Sequence, residues 1–194
     1  MSTATKQATQ TIPTGTWQSD PVHSSVGFAV RHMVVSTFHG QLPEFHATLV
    51  STPEGATLTG TAPLGAVNTD QADLTAHLLS PEFFDVERHP TASFRSERIV
   101  REGEDGVVVQ GELTIKGITH PVELRGQIVG PVTDPYGNER YGLSLSTVVD
   151  RTASGAGSTS RSASYGGTSR SPSHTTSSTP SGAASAAALR RLVL

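Results

Sequence analysis

The residue pattern of this 194-residue chain predicts an all-β fold, an antiparallel barrel or sandwich with one short helix. Three observations carry it. Apolar and polar residues alternate through a series of short stretches. Gly- and Pro-bearing clusters separate those stretches, and helical spacing occurs convincingly once. Alternation with a period of two sets one face of a strand against an apolar interior and the other in water.

Taken in order, "SVGFAVRH" places Val26, Phe28, Val30 and His32 on one face, and "PEFHATLV" aligns Phe45, Ala47 and Leu49. "TASFRSERIV" is weaker, with Ala92, Phe94 and Ser96 on one side. "GVVVQGELTI" aligns Val107, Val109, Gly111, Leu113 and Ile115, and "PVELRGQIVG" aligns Val122, Leu124, Gly126 and Ile128. "YGLSLSTVVD" gives Leu143, Leu145 and Val149, with Thr147 between them. "STPEG", "REGEDG", "IKGITHP" and "TDPYGNE" read as hairpin turns, the third spanning "KGITHP" with Lys116 and Thr119 in structural roles. The helix falls in "TDQADLTAHLLS": Thr69 or Asp70 caps it, Asp73 lies in its first turn, and Leu74, His77 and Leu78 share a face. Pro81 then opens a turn bearing Phe83 and Phe84, which plug a barrel end or wall an apolar channel. Small residues recur on inward positions, a pattern that fits a ligand cavity and equally fits packing at a barrel's taper.

Charge divides the chain. All 17 acidic residues lie at or before Asp150, and only Arg carries charge beyond residue 151. An acidic domain argues against nucleic-acid backbone binding, and the scattered Arg of the tail form no basic patch. With no Cys, disulfides, thiolate metal sites and a Cys nucleophile are absent. The opening residues show no apolar signal core, and no apolar run approaches the ~18 residues of a membrane span. A cytoplasmic location without an integral membrane span is the expectation.

Chemistry-bearing clusters are weak. His32, His39 and His46 recur every seven residues, which is neither a strand nor a hairpin period, and H-x-H and H-E-x-x-H are both missing. Asp20, His23, Ser24 and Ser25 crowd "DPVHSSVGF", but no G-x-S-x-G elbow accompanies them. A hydrolase or metal-dependent enzyme using Asp20, His23, His32 or Asp70 is the rival reading, and a stress-related protein-binding module is a third. No cofactor or metal is expected.

Three stretches in order, "WQSDPVHSSVGFAVRHMVVSTFHG", "AHLLSPEFFDVERHPTASFRS" and "GELTIKGITHPVEL", followed by "YGLSLSTVVDR", resemble the YceI-like lipid/polyisoprenoid-binding family from Trp17 to Arg151. The resemblance implies a lipocalin-like antiparallel β-barrel of eight strands over residues 16–151. Its lumen would hold a polyisoprenoid or another long amphiphile, such as a quinone or fatty amide, without catalysis. Carried over by position, Val26, Phe28, Val30 and His32 match the first strand. Met33 and Gly40 match the step after it, and Leu78, Phe83 and Phe84 match the helix and plug. Phe94, Leu113 and Ile115 complete the expected lumen set, and the reading allows a homodimer. Ala72 and Leu79 stand where the family usually has basic residues.

Residues 1–15 and 152–194 are expected to be disordered, the latter with 12 Ser and no Phe, Trp or Ile. Family members sharing "DR" typically continue with Phe-Gly, a Trp and a last strand. A frame shifted just after Ala153 permits such residues, so the tail reads as a frameshift product on a barrel lacking its final strand. A natural Ser-rich appendage is the alternative.

Overall fold

The computed structural model describes residues 12, 14–32, 36–149 and 185–193; of residues 31, 32, 36 and 185–193 it describes the backbone alone. The strands are β1 (Gly15–Gln18), β2 (Ser25–His32), β3 (Ser36–Leu42), β4 (His46–Thr52), β5 (Gly55–Pro63), β6 (Asn68–Thr69), β7 (Thr91–Glu102), β8 (Gly106–Ile115), β9 (Ile118–Thr133), β10 (Glu139–Val149) and β11 (Ser185–Val193). One helix, α1 (Ala72–Leu79), follows β6. All eleven strands belong to one antiparallel sheet in the order β1-β4-β5-β7-β8-β9-β10-β11-β2-β3-β6. Residues of β2, β5, β8 and β10 face a common interior although they are far apart in that order, so the sheet curls into a half-barrel. Short β1 and β6 extend its two ends, and the strand count exceeds the expected eight.

Curvature needs positions where one strand's backbone passes close over the next. Gly126 is one. A Cβ there would overlap the Ser144 carbonyl on β10, so only hydrogen fits on the lumen side of this crossing. Gly40 is another: it is the cross-strand partner of Phe28, whose ring occupies the space a Cβ would need.

The hairpin between β8 and β9 is tighter than "KGITHP" suggested. Ile115 pairs with Ile118, and the turn is Lys116 and Gly117 alone, with φ of 52° and 71°. Two consecutive positive φ values define the two-residue turn whose twist matches the flanking strands. Thr119, His120 and Pro121 therefore belong to β9. The helix also begins differently. Gln71 occupies its N-cap position without a side-chain cap, while the Thr69 hydroxyl accepts from the Gln71 N–H at 3.3 Å and meets the Thr75 hydroxyl at 2.8 Å.

The expected missing strand is present: β11 pairs with β10 on one side and β2 on the other. Its sequence, "SAAALRRLV", is the one mainly apolar stretch after residue 152, and the unpaired edges of β10 and β2 are a template for it. Residues 1–11 and 152–184, on which the remaining disorder and frameshift expectations fall, lie outside the described residues.

Gly126→Ala is expected to destabilise the protein by about 3 kcal/mol, or about 6–12 °C in Tm. Gly65→Ala, with nothing within 4 Å of its Cβ position, should stay within about 0.5 kcal/mol. Thermal unfolding followed by circular dichroism compares the two. Deleting residues 185–194 should lower Tm and cause concentration-dependent light scattering, because it bares two strand edges.

Candidate functional site

The lumen face changes character along its strands. At one end Leu49, Leu58, Val107, Val109, Ile128, Tyr141, Leu143 and Leu145 form a buried core. The Trp17 ring packs edge-on against Tyr141 there, with centroids 5.2 Å apart. At the other end the same strands diverge around a cavity of about 250 Å³ that opens to solvent. On β8, Val107 and Val109 are core while Leu113 and Ile115 line the cavity; on β9, Ile128 is core while Val122 and Leu124 line it. On β10, Leu143 is core, Thr147 and Val149 line the cavity, and Leu145 serves both.

The segment after β6 walls the cavity. α1 stops at Leu79 because Ser80 turns extended ahead of Pro81, and the chain then folds back on itself. The Phe84 N–H donates to the Leu78 carbonyl at 3.1 Å, and the Asp85 N–H donates to the Ser80 carbonyl at 2.9 Å. Asp85 has φ of 50° and is buried, with Arg88 at 3.8 Å. The turn delivers Leu78, Phe83 and Phe84 to the cavity. Phe84 meets the edge of Phe28 at 6.2 Å, and Phe83 meets the His77 ring at 4.8 Å. The β8–β9 hairpin tip secures this segment: Lys116 Nζ donates to the Pro81 carbonyl at 2.7 Å, and Gly117 lies against the His89 ring. Ala72 and Leu79 are the first and last residues of α1.

Of the residues singled out by sequence, Val26, Phe28, Val30, Leu78, Phe83, Phe84, Phe94, Leu113 and Ile115 all line the cavity. His32 ends β2 with only its backbone described, and Met33 lies outside the described residues. Sequence reading left out Phe45, Val122, Leu124, Leu145 and Val149, although their strand alternation carried the signal. Leu42 and Leu64 had none: one sits at a strand end before Pro43, the other in a single 3-10 turn.

Among the described residues the wall is almost wholly apolar. Its polar members among the described residues are His46, Thr59, Thr61, Ser93 and Thr147, and no Asp, Glu, Lys or Arg lines it.

The rival cluster around Asp20 is built for bracing. Asp20 Oδ2 receives His23 Nδ1 and an Arg140 guanidinium nitrogen, each at 3.0 Å. Arg140 Nε also donates to Asp134 at 3.0 Å, and Asp134 accepts the Tyr136 and Asn138 N–H groups at 2.9 Å. This chain of bonds ties the β1–β2 turn to the β9–β10 turn. The His23 hydrogen bond leads in lowering the Asp20 pKa to about 2, and the Asn138 N–H leads in holding Asp134 well below the usual carboxylate range. Asp70 is exposed ahead of α1. Among the described residues, no three His, Asp or Glu side chains are grouped as a metal ion requires.

Fold and cavity together define a class, the lipocalin-like half-barrel with an apolar lumen. The family model described as YceI-like domain matches residues 17–170, and the chain belongs to that family. A UPF0312 protein of Pectobacterium atrosepticum is 32% identical over 124 residues, which are 62% of this chain and 64% of that protein. The match thus spans just under two thirds of that relative's length. Among solved structures, BcnA of Burkholderia cenocepacia aligns with a TM-score of 0.71 at 16% identity, covering 91% of this chain and 99% of BcnA. A polyisoprenoid binding domain from Saccharophagus degradans, implicated in plant cell wall breakdown, aligns with a TM-score of 0.54 at 11% identity, covering 74% and 82%. Both likenesses concern the fold.

Because the Asp20 pKa is depressed on folding, its contribution to stability is present above the ordinary Asp value of about 3.9. It is lost as pH falls through about 2. Urea midpoints should decline over that window, and Asp20→Asn should flatten the decline. His23→Ala should move the carboxyl titration, followed by NMR, back toward the ordinary value.

Proposed function

We propose that the lumen binds and carries a long apolar lipid, a polyisoprenoid or a related amphiphile such as a quinone or fatty amide, without catalysing a reaction on it. The observation that carries this reading is the apolar lining of the cavity, to which the described residues contribute no Asp, Glu, Lys or Arg. A ligand held there makes few directional bonds, so affinity comes from withdrawing hydrocarbon from water. Each methylene transferred contributes about 0.8 kcal/mol. A grip on roughly ten such groups leaves several kcal/mol after ordering costs.

Size refines the picture. A cavity of about 250 Å³ is at the small end of the roughly 300–1,000 Å³ typical of ligand sites. It encloses a segment of chain, and the remainder of a long lipid leaves through the open side. Phe28 and Phe84, in edge contact, form an aromatic part of that enclosing wall. Membership of the YceI-like family and the polyisoprenoid binding domain of the same fold support this choice of ligand class.

Gently purified protein should carry an apolar lipid detectable by native mass spectrometry. Leu113→Trp, which projects an indole into the cavity, should bind a fluorescent prenyl probe at least about tenfold more weakly, at unchanged far-UV dichroism. Well-folded protein that is empty and indifferent to added prenyl lipids and quinones would defeat the reading.

A further inference from the structure

Among the described residues that line the cavity, Thr147 carries the one polar side chain on the lumen face. The inward phase of β10 runs Leu143, Leu145, Thr147, Val149, so Thr147 shares its face with three apolar residues. The other polar residues of the lining, His46, Thr59, Thr61 and Ser93, occupy the opposite phase of their strands from Ala47, Leu58 and Phe94.

The Thr147 hydroxyl is unanswered within the protein. Thr147 is half-buried, and its hydroxyl makes no hydrogen bond to any described residue. Its neighbour Ser146, on the outer face, donates to the Arg125 carbonyl at 3.3 Å. Across the sheet Thr147 pairs with Ala187, and Ala187 with Phe28, so the row it belongs to holds no second polar side chain beside it. While the cavity stands open, water serves the hydroxyl. A water enclosed in an apolar space needs about three hydrogen-bonding partners, and this face supplies one. A hydrocarbon that fills the lumen therefore strips the hydroxyl and leaves it unpaired, whereas an oxygen at the same level accepts its O–H.

We propose that the Thr147 hydroxyl selects the polar group of the bound lipid, which makes the ligand a prenyl chain bearing an uncharged oxygen acceptor, an alcohol or a ketone-type carbonyl, in preference to a plain hydrocarbon. This rests on the lipid reading of the lumen. An anionic group at this level would meet no Lys or Arg among the described residues of the lining to offset its desolvation. Position sets the depth of the oxygen. Thr147 lies one alternation, about 7 Å, inside Val149 at the diverging end of β10. It lies one alternation short of Leu145, which also packs into the core.

The test is displacement of a fluorescent prenyl probe from wild type, Thr147→Val and Thr147→Ser by geranylgeraniol, geranylgeranylacetone and the deoxy hydrocarbon of geranylgeraniol. Valine is β-branched like threonine and lacks only the hydroxyl. The ratio of oxygenated-ligand to hydrocarbon affinity should fall about tenfold in Thr147→Val, chiefly through tighter hydrocarbon binding. In Thr147→Ser it should stay within about threefold of wild type. Each ligand's behaviour in water is common to the three proteins, so the change in ratio isolates the hydroxyl. In wild type the carbonyl stretch of bound geranylgeranylacetone should lie below its frequency in hexane, a readout independent of the variants' folding. Ratios that Thr147→Val leaves unchanged, or a carbonyl stretch at the hexane value, overturn the assignment and leave the lumen reading standing. Failure of wild type to bind any of the three overturns both.

Discussion

A sheet with one apolar face must bend until that face meets itself, and here the bending depends on how closely neighbouring backbones can cross. At Gly126 the β10 carbonyl of Ser144 takes the volume that any side chain would need. At Gly111 the β7 backbone at Arg95 does the same. These crossings lie between the packed and the open halves of the lumen face: Gly111 separates Val109 from Leu113, and Gly126 separates Ile128 from Leu124. Strands that coil over one another at these points can be tight at one end and diverge at the other. Both the core and the cavity follow from that single constraint.

The division has a thermodynamic consequence. Leu, Val and Ile side chains at the packed end carry the burial that stabilises the domain, with Trp17 and Tyr141 closing it. Side chains of the same chemistry at the open end, among them Val26, Phe28 and Val30, are only half-buried. They contribute little until something apolar fills the space between them. A lumen ligand would then add to stability by mass action, in proportion to the logarithm of its concentration over Kd. The same wall is shaped by local devices: Phe28 lies on Gly40, Phe84 stands on the edge of Phe28, and Lys116 holds the chain at Pro81.

Much of this was legible in the sequence, because period-two alternation is an unambiguous signal where one face is buried. β2, β8, β9 and β10 announced their lumen residues that way, and Phe28, Leu113 and Ile115 line the cavity as the pattern indicated. What escaped notice did so for definite reasons. Leu64 sits in a 3-10 turn and reaches the cavity through tertiary placement alone. The start of β9 was hidden by punctuation: Gly117 and Pro121 flank "ITH", and such residues usually bound a loop. Backbone dihedrals resolve it, since Lys116 also adopts positive φ and lets the turn close in two residues. Pro121 is accommodated in β9 opposite Glu112. A turn read as six residues long thus concealed the first residues of β9, Ile118 to Pro121.

The last strand was the other omission, and it shows why the seam it fills differs from the rest of the wall. β11 lies between β10 and β2 with a register irregularity on each flank, at Leu143/Leu145 and at Ala188/Arg191. Ala is a poor strand former, and a run of three offers the pairing little to distinguish one register from the next. Elsewhere the register is fixed by large alternating residues, as on β9. Yet β2, which brings Val26, Phe28 and Val30 to the cavity, is joined to the rest of the barrel through β11 on one side and β3 on the other. Ala187 is the direct partner of Phe28. The position of the Phe28 ring over Gly40 and against Phe84 therefore rests on the strand whose sequence specifies its own register least. In this fold the cavity-facing half of the wall is coupled to the closure of the barrel through β2, whereas the packed half meets β11 only through Leu143 and Leu145 on β10, with Leu49, Leu58 and Val109 on strands away from the seam.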